Sequence, residues 1–329
     1  MAGKTALAQL RDRIGLTRDV RRIVYVYLAA VLVFAAGEIV HPGFARLDSI
    51  AAILTVASFV GLVAAGQTFV VLIGGIDLSV PWVLNAAAIL LVTSSLGEDG
   101  RAVYAVLITL AMGAAAGLVN GVIIAYLGVP AVVVTLAMNG IMEGLTLGLS
   151  GGMTCDSCAS YAPPVVQDAV HGSLFGFPTA LILWIVVIAI VSFVLSFTTF
   201  GRKTYAIGNN AKASYLAGIN VRLSTVLLYA LSGFFAALTG ILLVGFGGQA
   251  SLGMGDPYLF QSIAAVVIGG VYVLGGRGHY LGTAAGAVTL VALVSVLLAM
   301  NMPDYGRNII YGVVILILLL LYGREEKQE

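Results

Sequence analysis

Long apolar runs separated by short polar breaks set the pattern of this chain. A helix needs about 20 mostly apolar residues to cross the hydrocarbon core. On that measure spans are predicted near 23–41, 50–73, 80–96, 102–127, 130–149, 179–199, 223–246, 259–275, 278–300 and 306–322. The second and third are separated only by Gly74-Gly75-Ile76-Asp77-Leu78-Ser79, which reads as a break at membrane depth. Val70-Val71-Leu72-Ile73-Gly74-Gly75 is echoed by Ala265-Val266-Val267-Ile268-Gly269-Gly270, and both precede a turn and a further span. Paired glycine-interrupted segments point toward a transport pathway. A chain rich in Gly, Val and Ile also produces such matches by chance, so the internal two-fold repeat is one reading of two.

Composition agrees with lipid as the main solvent. Of 329 residues 60% are hydrophobic and 9% are charged, and mean hydropathy is +1.06. A soluble domain carries about 25% charged residues. The expected fold is an all-α polytopic membrane protein of about ten transmembrane helices. It forms one transmembrane domain over 1–329, with a tail over 1–22, a membrane part over 23–322 and a second tail over 323–329. The first polar stretch is too long for a leader's n-region, and no small-residue cleavage site follows the first span, so that span is read as retained. The net charge of +1 gives no reason to expect a nucleic-acid partner.

Basic residues orient the spans, because they concentrate on the cytoplasmic side. Lys4, Arg11, Arg13, Arg18, Arg21 and Arg22 precede the first span, which places that tail inside. Ten spans then put both termini inside, together with Arg202, Lys203, Lys212, Arg222, Arg277, Arg324 and Lys327. Only Arg46, Arg101 and Arg307 fall outside, and the loop 150–178 has no lysine or arginine. The inner loop 200–222 is expected to hold a short helix over Ala211–Ala217. Asn209 or Asn210 would be its N-cap and Gly218 its C-cap. The outer loop reads as a surface lid.

Candidate chemistry is sparse. In the first break, Asp77 and Ser79 can cap the following helix or line a path, since a carboxylate at depth needs protein or water around it. Thr135, Asn139 and Glu143 share one face of the fifth span, which should turn toward a cavity or toward a neighbouring helix. Glycines recur at four-residue spacing at Gly113, Gly117 and Gly121 and at Gly140, Gly144 and Gly148, where small residues let helices approach closely. Cys155 and Cys158 in the outer loop read either as an oxidised pair or as two thiols. A zinc site would need more ligands than the nearby His171. The three histidines, His41, His171 and His279, lie in loops or at span ends, and no nucleotide-binding or hydrolase motif is present.

Taken together, four stretches resemble one family. These are Gly74-Gly75-Ile76-Asp77-Leu78-Ser79-Val80; Thr135-Leu136-Ala137-Met138-Asn139-Gly140; Phe200 through Asn210, running on to Ala217-Gly218-Ile219-Asn220; and Ile263 through Gly270 with Gly275-Gly276-Arg277-Gly278. The chain resembles the ribose-type permeases of bacterial ATP-binding-cassette importers from about residue 50 to 322. It departs from the pattern at Glu143, where many members carry Arg or a neutral residue, and at Pro81, where Gly is usual.

The resemblance implies a dimer of ten-span permeases in the bacterial inner membrane, two cytoplasmic ATPase domains and a periplasmic solute-binding protein. ATP would be used by the partner ATPase, with no cofactor bound by this chain. The solute path would involve Gly74, Gly75, Asp77, Ser79, Thr135, Asn139 and Glu143. ATPase coupling would fall to Gly208, Asn209, Asn210, Ala213, Tyr215, Leu216 and Gly218. The expected cargo is a small neutral solute, a monosaccharide first. The alternative is an ion-coupled secondary transporter with Glu143 and Asp77 as its coupling carboxylates.

Overall fold

The computed structural model describes residues 23–152, 161–174 and 176–303, and the scattered positions 305–307, 309, 310, 312, 313 and 316. Helix length decides which apolar segments cross. Among the described residues, seven helices are long and apolar enough: α1 (Ile23–Val40), α2 (Leu47–Leu72), α4 (Asp99–Leu127), α5 (Ala131–Leu149), α7 (Thr179–Phe197), α10 (Val221–Gly247) and α12 (Tyr280–Ala299). Two apolar helices are shorter, α3 (Val80–Ser95) and α11 (Asp256–Ile268). At about 1.5 Å per residue they reach roughly 24 and 20 Å, short of a full crossing. The described residues between 305 and 316 are helical; the rest of the expected tenth span lies outside the described residues.

Outside the spans lie α6 (Pro164–His171), a two-residue hairpin of β1 (Ser173–Leu174) and β2 (Phe177–Pro178), α8 (Thr199–Asn209) and α9 (Ala211–Leu216). The segment that holds α6 and the hairpin is anchored to the spans. Asp99 at the start of α4 accepts the Val165 N–H at 2.8 Å, and Val166 and Val170 of α6 pack against Gly245 of α10.

α2 is the axis of the bundle. It contacts α10, α12, α11 and α7, and every residue from Ala57 to Leu72 is buried. A helix apolar on all sides must be enclosed on all sides, and polar groups fix where its neighbours sit. Tyr280 donates its hydroxyl to the Gly61 carbonyl at 2.7 Å and accepts from the Trp184 indole at 3.0 Å. The Thr68 and Thr283 hydroxyls are 3.0 Å apart. In lipid, such hydrogen bonds and close van der Waals contact hold helices together, because apolar burial between helices gains nothing over contact with acyl chains.

α4 packs backbone to backbone against α10. A Cβ on Gly117 would lie 2.1 Å from the Tyr229 carbonyl oxygen, one on Gly113 2.5 Å from that of Gly233, and one on Gly121 2.6 Å from Val226 Cα. The backbones touch because no side chain separates them.

Candidate functional site

The first break is a capped helix end followed by an extended segment. Gly74 (φ +78°) donates its N–H to the Val71 carbonyl at 2.9 Å, and Gly75 donates to Val70 at 3.0 Å. This pair of bonds is the Schellman geometry, which places a left-handed residue, usually glycine, just past the helix end. The chain then runs to Ser79, where α3 begins. Asp77 is 1% exposed, and its carboxylate is saturated with donors. Oδ1 accepts from the Ser79 N–H at 3.0 Å and from the Ser79 hydroxyl at 2.5 Å, and Oδ2 accepts from Ser232 of α10 at 2.7 Å. Asn120 of α4 donates to Ser79 Oγ at 3.0 Å. A buried carboxylate is tolerable only when its lone pairs are met in this way. Ser79 occupies the N-cap position of α3, but its side chain makes no capping bond: the Asp77 and Ser79 side chains bond each other and tie the break to α4 and α10.

A second break follows α11. Gly270 (φ +79°) donates to Val267 at 2.9 Å, and Val271 donates to Val266 at 3.1 Å, which repeats the Schellman geometry of the first. The predicted span 259–275 therefore stops being helical after Ile268. Its apolar run continues through Val271-Tyr272-Val273-Leu274, so hydropathy alone does not register the end. The echo between the halves is structural, shifted by one position from the sequence match: Gly74 corresponds to Gly270, not to Gly269.

The two breaks touch each other, and the inner segment touches both. Gly276 donates its N–H to the Leu72 carbonyl at 2.8 Å. Gly208, near the end of α8, lies so close that an added Cβ would sit 1.9 Å from Leu72 O and 2.4 Å from Gly276 N. Asn209 donates from Nδ2 to Tyr205 O at 2.8 Å and to Gly276 O at 3.4 Å. Three backbone segments meet with no side chain between them. Sequence reading singled out Gly208 and Asn209 for the inner loop but missed this junction, because their partners are main-chain atoms distant in sequence.

Beyond the junction, α9 is short and closed at both ends. Asn210 is its N-cap, accepting the Ala213 N–H at 2.9 Å. Gly218 (φ +84°) donates to Tyr215 O, and Ile219 donates to Ser214 O, both at 3.0 Å, so the expected left-handed C-cap is present. Ser214 faces inward, while Tyr215 and Leu216 are 70% and 77% exposed and Ala213 is exposed beside them.

On α5 the predicted face divides. Thr135 is fully buried and donates to Ala131 O at 2.9 Å and to Ile76 O of the first break at 3.4 Å. Asn139 and Glu143 are half-buried, and Asn139 Oδ1 is buried without a hydrogen-bond partner. Gly140, Gly144 and Gly148 have no atom within 4 Å of where a Cβ would stand. Sequence reading also missed Asn120, Ser232 and Gln67. Gln67 is fully buried with both amide atoms unpartnered, and a polar residue inside an apolar span was the available signal. Cys155 and Cys158 lie outside the described residues.

Residues 49–319, which contain both breaks and the inner segment, match the family described as "Branched-chain amino acid transport system / permease component". The chain belongs to this permease family. Among its relatives is the ribose import permease protein RbsC of Haemophilus influenzae, 32% identical over 89% of this chain and 91% of that protein. RbsC of Escherichia coli K12 is 33% identical over 91% and 93%. The autoinducer 2 import system permease protein LsrC of Escherichia coli O9:H4 is 31% identical over 92% and 87%. No solved structure matches.

Proposed function

We propose that this chain is the membrane-spanning permease subunit of an ATP-driven importer, and that it carries a monosaccharide into the cytoplasm. The observation that carries the proposal is the junction at Gly208, where the exposed helix α9 is joined through α8 to the ends of both broken helices. A capped helix in backbone contact with two breaks can pass a displacement to them; a floppy loop cannot. The ribose relatives supply the cargo class. A neutral solute fits the first break, whose one carboxylate is buried and saturated with hydrogen bonds.

In this reading the partner ATPase docks on Ala213, Tyr215 and Leu216, with Asn210 and Gly218 holding α9 rigid. Hydrolysis belongs to that partner, and this chain binds no nucleotide. A periplasmic solute-binding protein delivers the sugar at the outer face. A second permease copy covers the bare face of α5, and the solute passes beside Gly74, Asn139 and Glu143. Gly75, Asp77, Ser79 and the buried Thr135 shape that wall from behind. The chain sits in the bacterial inner membrane with both ends in the cytoplasm.

The bonding of Asp77 argues against its serving as a coupling carboxylate of a secondary transporter, which would leave Glu143 alone for that role. The test is uptake of labelled ribose by proteoliposomes holding the permease, its ATPase and its binding protein. Uptake should require ATP and survive a protonophore. Uptake driven by an ion gradient without ATP would contradict the proposal.

A further inference from the structure

The first break rests on α10, and its two polar neighbours there are used unequally. Ser232 donates to Asp77 Oδ2 at 2.7 Å. Tyr229, three residues earlier on α10, is 1% exposed, and its hydroxyl has no hydrogen-bond partner. That hydroxyl stands against the break: an added Cβ on Gly75 would lie 2.3 Å from it.

This contact accounts for the second glycine of the Gly74-Gly75 step. Gly74 is held at φ +78°, which favours glycine, but Gly75 is not among the glycines of positive φ. The backbone at Gly75 therefore admits other residues; the space does not. Gly75 keeps open the place that the Tyr229 hydroxyl fills. A buried hydroxyl without a partner is costly. A phenylalanine ring would fill the same volume without that cost, so the hydroxyl has no use in this arrangement of the chain.

Residues 75 and 77 of the break meet 229 and 232 of α10 in the same order. α10 begins just after α9, so Tyr229 is nearer than Ser232 to the inner segment, by about 4.5 Å along the helix axis. α4 and α10 are pressed together at Gly113, Gly117 and Gly121 and form a fixed rail beside the break. We infer that Tyr229 is the second resting place of Asp77. When the junction draws the first break toward the inner side, Asp77 releases Ser232 and accepts the hydroxyl hydrogen of Tyr229. The exchange suits both hydroxyls. A helical serine can turn back to the carbonyl four residues earlier, here that of Leu228, so Ser232 is not orphaned on release. Tyr229 has no such option, because its hydroxyl is far from its own backbone. Asp77 is hydrogen-bonded at both ends of the movement, as a carboxylate at depth must be. Tyr229 is thus a positioning residue, which acts on the break and not on the solute. Its part in transport rests on the function proposed above; its pairing with Asp77 does not.

The pairing is tested on the full chain purified in detergent, by unfolding temperature. Tyr229→Phe alone should leave that temperature level or raise it, because it removes an unpartnered group. In a Ser232→Ala background Asp77 turns to Tyr229, and the same substitution should lower the temperature by about 2 °C or more, the shift expected for one lost hydrogen bond. Ser232→Cys, a weaker donor, takes the place of Ser232→Ala if that variant does not fold. Equal effects of Tyr229→Phe in the two backgrounds would overturn the pairing. So would a lowered temperature for Tyr229→Phe alone, since the hydroxyl would then already hold a partner such as an ordered water. The exchange is read in the complex with ATPase and binding protein. Tyr229→Phe should keep ATPase binding and lose about tenfold in ATP-driven ribose uptake, the size of one hydrogen bond to a charged group. Uptake equal to wild type would overturn the exchange. If the wild-type complex itself takes up no ribose with ATP, the proposed function fails, and the temperature comparison still decides the pairing.

Discussion

Two glycine stripes with the same spacing have opposite surroundings. Gly113, Gly117 and Gly121 on α4 are pressed against the α10 backbone, while Gly140, Gly144 and Gly148 on α5 face open space. Spacing therefore marks where a helix can be approached closely, not whether its own chain does the approaching. The α4 stripe is spent on folding this chain. The α5 stripe is left for a partner, which in the proposed assembly is a second permease.

The largest effect that would sharpen this contrast is Gly117→Val. Its side chain would begin 2.1 Å from the Tyr229 carbonyl, and the helices cannot separate without losing the whole α4–α10 contact. Overpacking of this kind costs about 1–3 kcal/mol or more, and the variant should fail to yield a monodisperse chain in detergent. Recovery of normally stable protein would mean that the α4 stripe is not a fixed contact.

Next in size is Asp77→Leu. It leaves the Ser79 and Ser232 hydroxyls without their acceptor in a buried site, for a loss of about 1–3 kcal/mol per unsatisfied donor, read as a lowered unfolding temperature in detergent. Asp77→Asn keeps an acceptor oxygen and should lose much less. Equal losses for the two would mean that the charge, not the hydrogen bonding, matters.

Thr68→Val removes the hydroxyl pair with Thr283 and should cost only about 0.6 kcal/mol, the size of an average interhelical hydrogen bond in membranes. Smallest for the isolated chain is Gly144→Ala. An alanine there meets nothing and raises helix propensity, so stability should stay level or rise by up to about 1 kcal/mol. Transport by the assembled complex should nonetheless fall. If transport is untouched, the bare stripe is merely lipid-facing.

Much of this arrangement was legible in the sequence. Apolar runs gave the helices, the Gly74-Gly75 step gave the first break, and Gly218 with the pair Asn209-Asn210, between which the structure decides for Asn210, gave the ends of α9. What stayed hidden depends on tertiary partners. The end of α11 is invisible to hydropathy, since Val271 and Leu274 prolong the apolar run. The saturation of Asp77 depends on Ser232, far along the chain. The resemblance assigned Gly208 to ATPase coupling, but its contact with both breaks was not legible, because its neighbours are the Leu72 carbonyl and the Gly276 amide, groups that every residue carries. Thr135, Asn139 and Glu143 share a face by periodicity, yet only Thr135 reaches the break.

The central claim is that α9 receives the ATPase and, through Gly208, moves the two breaks. Gly218→Val tests it with little collateral change, since nothing stands within 4 Å of that position while its φ is +84°. A β-branched residue is strained there and should unwind the end of α9. Leu216→Asp tests the exposed apolar contact directly. The decisive measurement is binding of the partner ATPase to the purified permease carrying each substitution. The account predicts that both variants insert and fold normally yet lose about tenfold or more in ATPase affinity, the scale of one buried interface anchor, with uptake falling in step. Wild-type affinity in both variants would contradict it.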